Sequence, residues 1–190
     1  MKKQIRLLGI DDSPFSFHQK HTTVIGVVMR AGEYLECVLK SKVEIDGSDA
    51  TDICIEMINN TRYKKQLKAV LLDGASLGGF NIVDIELVSK STSLAVITVT
   101  RDEPDFSLIK EALKKRFIDW NKRLTILQKG ELFEVQTSYT PIYIKCAGIS
   151  LFQAKEIIKI STIQGVIPEP IRVAHVIASG VMRGESCGKA

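Results

Sequence analysis

Two short apolar runs, Leu7-Leu8-Gly9-Ile10 and Ala69-Val70-Leu71-Leu72, each stop on an aspartate, Asp11 and Asp73. Runs without a polar position fit strands buried on both faces, as at the centre of an α/β sheet. A residue at the carboxyl end of such a strand points into the crevice where ligands usually bind. If the two strands are neighbours, their carboxylates repel each other unless a divalent cation or a shared proton relieves them.

The order of elements around these runs predicts the sheet. Residues 22–30 are rich in β-branched side chains. Ala31-Gly32-Glu33 joins them tightly to a strand over 34–44, an antiparallel hairpin. A helix capped by Ser48 or Asp49 should follow, with Ile53, Met57 and Ile58 on one face. Next come a strand at 68–73, a helix over about 80–90 and a strand at 94–100. Pro104 suits the first turn of a helix through Ile109, Leu113 and Phe117. Short strands are expected at 132–135 and 142–146, then a helix capped by Ser150, and after Pro168-Glu169-Pro170 a last helix over about 170–181. Three strands followed by alternating helix and strand predict an α/β fold, a mixed sheet with helices packed on it. The ribonuclease-H-like arrangement has this order and sets Asp11 beside Asp73.

At 190 residues, 45% of them hydrophobic, the chain is expected to form a single domain, 1–190, with its own core. A net charge of +4 permits a polyanionic partner without demanding one. The basic clusters Arg62–Lys68, Lys114–Arg116 and Lys122-Arg123 read, taken singly, as solvated faces. Cys37, Cys54, Cys146 and Cys187 show neither zinc-ligand nor disulfide spacing. With no signal-peptide pattern and no apolar stretch of bilayer length, no membrane association and a cytoplasmic location are expected. Glycines at 180, 184 and 188 suggest a flexible tail over about 183–190.

Each strand-end aspartate alone is more often a turn residue than a ligand. Together, in this order, they favour a hard-cation site, to which Glu44, Asp46 or Asp49 would add a ligand. A rival lies in the same loop: Gly74-Ala75-Ser76-Leu77-Gly78 is a G-x-S-x-G string, with Asp102 or Asp105 and His175 following in hydrolase order. It lacks an HGGG-type oxyanion segment and ranks second. His18 and His21 fall in a polar connection and read as solvated, whereas His175, on the last helix, suits an outer ligand or proton donor.

Gly9-Ile10-Asp11, Leu72-Asp73-Gly74 and Pro168-Glu169-Pro170-Ile171-Arg172-Val173-Ala174-His175 stand in the order found in endonuclease V. Over about residues 6–178 the chain resembles a mainly archaeal family distantly related to that enzyme. The resemblance implies a ribonuclease-H-like fold and an endonuclease, dependent on Mg²⁺ or Mn²⁺, that acts on nucleic acid, DNA or RNA. It implies Asp11, Asp73 and His175 as catalytic residues and Asp11, Asp73 and Asp46 as metal ligands. Asp46-Gly47 falls where endonuclease V has a Glu-Gly pair. Arg101 falls near the lysine of its Gly-Val-Ala-Lys segment, so Arg101 and Arg172 are implied as phosphate contacts. The loop after Asp73 departs from the pattern in lacking His-Pro-Arg, and the Pro-Tyr-Ile-Pro wedge has no counterpart between Val38 and Gly47. Inosine recognition therefore does not carry over. The alternatives are a non-catalytic nucleic-acid-binding module of the same fold and a serine hydrolase using Ser76.

Overall fold

The computed structural model describes residues 4–186. In chain order its elements are β1 (Arg6–Asp12), β2 (His21–Arg30), β3 (Tyr34–Glu44), α1 (Ala50–Asn60), β4 (Leu67–Asp73), α2 (Ile85–Thr92) and β5 (Ala95–Thr100). They continue with α3 (Phe106–Arg116), α4 (Trp120–Gln128), β6 (Phe133–Val135), β7 (Ile142–Ala147), α5 (Leu151–Ser161) and α6 (Glu169–Arg183). The strands form one seven-stranded sheet in the order β3-β2-β1-β4-β5-β7-β6. β1, β4 and β5 run parallel and the flanking pairs antiparallel, the ribonuclease-H-like arrangement expected. Ile10 lies opposite Leu72 across the parallel β1–β4 pair. Asp11 and Asp73 therefore leave neighbouring strands at the same end.

The apolar runs exist because helices cover both faces of these strands. Leu8, Ile10, Val70 and Leu72 face a core closed by Cys54, Met57 and Ile58 of α1 and Ile85 and Val88 of α2. Leu7, Ala69 and Leu71 face the opposite core, closed by Ala154, Ile157 and Ile158 of α5 and Ile171 of α6. Neither face has room for a polar side chain, so the period-2 alternation of a one-sided strand disappears. Gly9 fixes the seat of α6: a Cβ there would lie 2.2 Å from the carbonyl carbon and oxygen of Pro170. Only glycine allows this approach, which lays α6 along β1.

Several element boundaries differ from expectation for local reasons. Residues 74–83 stay a loop, closed by Leu77 N–H to Asn81 O and Val83 N–H to Ala75 O. The helix after it starts only where Asp84 accepts the Leu87 N–H at 3.1 Å. Pro104 precedes α3 rather than opening it, because Asp105 caps the helix by accepting from Ser107 and Leu108. Helix α4 was not expected at all. Ser150 caps α5 as expected, accepting the Gln153 N–H at 3.3 Å. Asp49 stands at the start of α1, but its carboxylate turns back to the Glu44 N–H and the Asn81 side-chain amide. Gly184, in the left-handed region at φ 82°, ends α6 by donating to Gly180 O. The rest of the expected flexible tail, 187–190, lies outside the described residues. Among those described, no helix is long and apolar enough to cross a membrane.

Candidate active site

Asp11 ends β1, Asp73 ends β4, and α6, seated over Gly9, carries His175 to the same place. Each residue offers a donor atom, and the three atoms lie within 4.8 Å of one another. His175 Nδ1 is 2.8 Å from Asp11 Oδ2, and Asp11 Oδ1 accepts the Asp12 N–H at 2.8 Å. Asp11 is only 5% exposed. His175 Nε2 is buried and has no hydrogen-bond partner. Nε2 leaves the ring on the side away from Asp11, so Nδ1 is the nitrogen that faces this carboxylate.

The electrostatics describe a centre short of positive charge. Burial, and then the charge of Asp11, push Asp73 from 3.8 up to about 6, against the pull of Arg101 and His175. Hydrogen bonding to Asp11 raises the His175 pKa, with burial and Arg101 opposing. A charged residue next in the strand adds to the deficit. Burial, and then Asp11, push Asp12 up to about 6, although its carboxylate accepts the Gly78 N–H at 2.9 Å. Successive strand residues face opposite sides of the sheet, so Asp12 anchors the 74–83 loop while Asp11 faces His175. Asp12 is not among the site residues expected from the sequence; its signal there is a second acid directly after the first. Two carboxylates, an imidazole nitrogen against one of them, and mutual repulsion fit a divalent cation held by Asp11, Asp73 and His175.

The structure does not bring Asp46 into this group. Asp46 sits at φ 56°, and its carboxylate accepts the Phe80 N–H at 2.9 Å and Arg116 Nη2 at 2.5 Å. The reason is topological. β3 lies two strands from β1, about 10 Å at the usual strand spacing, and Asp46 follows the end of that strand. Glu44 and Asp49 also stand outside the group of three.

Arg101 follows β5, and its charge acts on both Asp73 and His175. Its Nη2 is buried without a partner. Arg172, one turn before His175, is held bidentately by Glu169 at 2.9 and 2.7 Å. Both arginines line a cleft of about 720 Å³. Ser76 forms an isolated bridge with Ile82. His175 bonds Asp11, and its Nε2 reaches no hydroxyl, so there is no Ser–His pair. The left-handed residues of the loop are Gly74, Gly78 and Gly79, not Ser76, so the strained nucleophile turn is missing too. His18 and His21 are exposed, as expected.

The family model described as endonuclease dU matches residues 3–182. The chain belongs to the endonuclease dU family. Among archaeal relatives, a UPF0215 protein of Methanothermobacter thermautotrophicus is 47% identical, across 100% of this chain and 94% of its own. Another, from Thermococcus sibiricus, is 41% identical, across 98% and 96%. A solved Archaeoglobus fulgidus protein of unknown function superposes on this endonuclease dU family member with a TM-score of 0.87 at 36% identity, covering 95% of this chain and all (100%) of that one. Ciona intestinalis endonuclease V, solved with a 24mer DNA containing an inosine, gives 0.66 at 18% identity, covering 97% and 88%. The likeness to endonuclease V is one of fold, and it bears out the relationship that the three motifs implied.

Proposed function

We propose that this member of the endonuclease dU family is a single-domain endonuclease that hydrolyses phosphodiester bonds of nucleic acid and depends on Mg²⁺ or Mn²⁺. The observation that carries the reading is the grouping of Asp11, Asp73 and His175 within 4.8 Å at the ends of adjacent parallel strands. The burial and mutual repulsion of the carboxylates, which raise Asp73 to about 6, support it. The family's name and the inosine in the DNA bound to the Ciona enzyme support nucleic acid with an altered base as the substrate.

Asp11 and Asp73 would hold the cation through one oxygen each, and His175 through Nδ1, the ring nitrogen that faces Asp11. A bound Mg²⁺ or Mn²⁺ supplies charge stabilisation at the phosphate and lowers the pKa of a water. Without a cation, Asp11 pairs with His175 Nδ1 and holds the ring beside the carboxylates. Arg101, whose charge already acts on Asp73 and His175, would stabilise a phosphate brought to the centre. Asp12 holds the Gly78 loop against the end of β1.

Asp73→Asn is expected to abolish cleavage of a uracil- or inosine-containing oligonucleotide while the fold survives. Retained cleavage refutes the assignment. An inactive native protein whose nucleic-acid binding ignores Asp11→Asn would instead mark a non-catalytic binding module.

A further inference from the structure

The cleft that starts beside the acidic centre at Arg101 passes between the connections α5–α6 and β6–β7. Its wall includes Tyr139, Ile163, Gln164 and Arg172. A second hollow of about 620 Å³ adjoins it, sharing Tyr139, Ile163 and Gly165; its Lys155 and Lys159 are balanced by Glu134 and Glu156. Charge in the first hollow comes from Arg101, Arg172 and Glu169. Arg172 neutralises Glu169 through the bidentate pair, so Arg101 leaves this hollow with a net positive charge.

The rest of the wall is neutral and partly apolar. Tyr139 is 70% exposed and Ile163 66%, large side chains left in solvent along the cleft. The Tyr139 backbone is fixed by its N–H to Thr137 Oγ1 at 3.0 Å, and Thr137 Oγ1 donates to Thr140 O at 2.7 Å. The ring therefore stands on a folded turn. Glycine at 165, φ 75°, opens the opposite wall, where a Cβ would meet nothing within 4 Å.

We propose that this cleft holds one or two unpaired nucleotides of the strand next to the scissile phosphate. Arg101 takes a phosphate and Tyr139 stacks on a base; the inference rests on the nuclease reading above. A cation that follows the backbone beside a free aromatic face is the chemistry of single-strand binding. The volume lies in the range of pockets for small ligands. A base that enters the cleft to stack on Tyr139 leaves its pairing partner behind. The cleft thus selects for substrate that is single-stranded, or opened, next to the cleavage point.

The test is fluorescence anisotropy in EDTA, where nothing is cleaved, with an oligothymidylate of about 12 nucleotides and with its duplex. Tyr139→Ala is expected to weaken single-strand binding about tenfold, the effect of losing one stacked base. Gln164→Glu should weaken it and Gln164→Lys tighten it, each about threefold, because the added charge faces a phosphate backbone. Duplex affinity should not change. Tyr139 and Gln164 are exposed, so thermal midpoints should stay at the native value. Native-like single-strand affinity in Tyr139→Ala and both Gln164 variants overturns the inference, as does a native protein that ignores the single strand. Asp73→Asn separates the two claims. If it is inactive while the cleft variants bind normally, the cleft inference falls alone. If it still cleaves, the nuclease reading falls and the binding series still decides the cleft.

Discussion

Replacing Asp73 with asparagine should stabilise the metal-free protein at neutral pH. Burial and Asp11 raise the Asp73 pKa from 3.8 to about 6, a shift of about two units, each worth about 1.4 kcal/mol. The folded state thus binds this proton more tightly than the unfolded chain. The stability it contributes is complete below pH 3.8 and is lost as the pH rises through about 6. At pH 7 the ionised carboxylate therefore opposes folding by up to about 3 kcal/mol. Asparagine keeps the shape and removes the charge. In EDTA, the variant and the native protein should match near pH 4. At pH 7 the variant should unfold up to about 6–12 °C higher, at 2–4 °C per kcal/mol for a chain of this size. The native protein should also lose stability from Asp12, pushed up to about 6 by burial and Asp11; as both acids couple to Asp11, their effects will not simply add. Mn²⁺ at about a hundred times its dissociation constant should then return about 2.7 kcal/mol to the native protein and little to the variant. An Asp73→Asn protein less stable than native at pH 7 in EDTA, or a difference unchanged between pH 4 and 7, refutes the picture of a buried, repelled carboxylate.

Two further substitutions test how the centre is built. Gly9→Ala places a methyl group 2.2 Å from the Pro170 backbone. It should cost about 3 kcal/mol in urea unfolding, the upper end of overpacking, and should blunt stabilisation by Mn²⁺ because His175 rides on the displaced helix. Arg123 is 9% exposed, donates to Gly47 O and Phe80 O at 2.7 Å each, and stacks on Phe117. Arg123→Ala should cost about 2 kcal/mol by urea unfolding, since it takes the partner from two half-buried carbonyls; a loss under about 0.5 kcal/mol, typical of a surface position, would show that the two loops do not depend on it.

The central strands, the order of elements and the pairing of Asp11 with Asp73 were legible along the chain. Each rests on a local pattern: an unbroken apolar run, a tight hairpin, or a capping residue such as Ser150. Helix α4 was not legible. Of its apolar residues only Leu124 is buried, and it is fixed by Arg123, whose partners Gly47 and Phe80 lie far away in sequence. The third member of the centre divides in the same way. His175 could be named from its motif, but its contact with Asp11, 164 positions away, depends on α6 settling over Gly9. Asp46 occupied a plausible place in the sequence and lost it to strand order, because β3 is laid down two strands from β1. Local residue chemistry determined which carboxylates end strands. Only tertiary packing decided which groups share one site, because strand spacing and a single glycine contact set distances that no local pattern records.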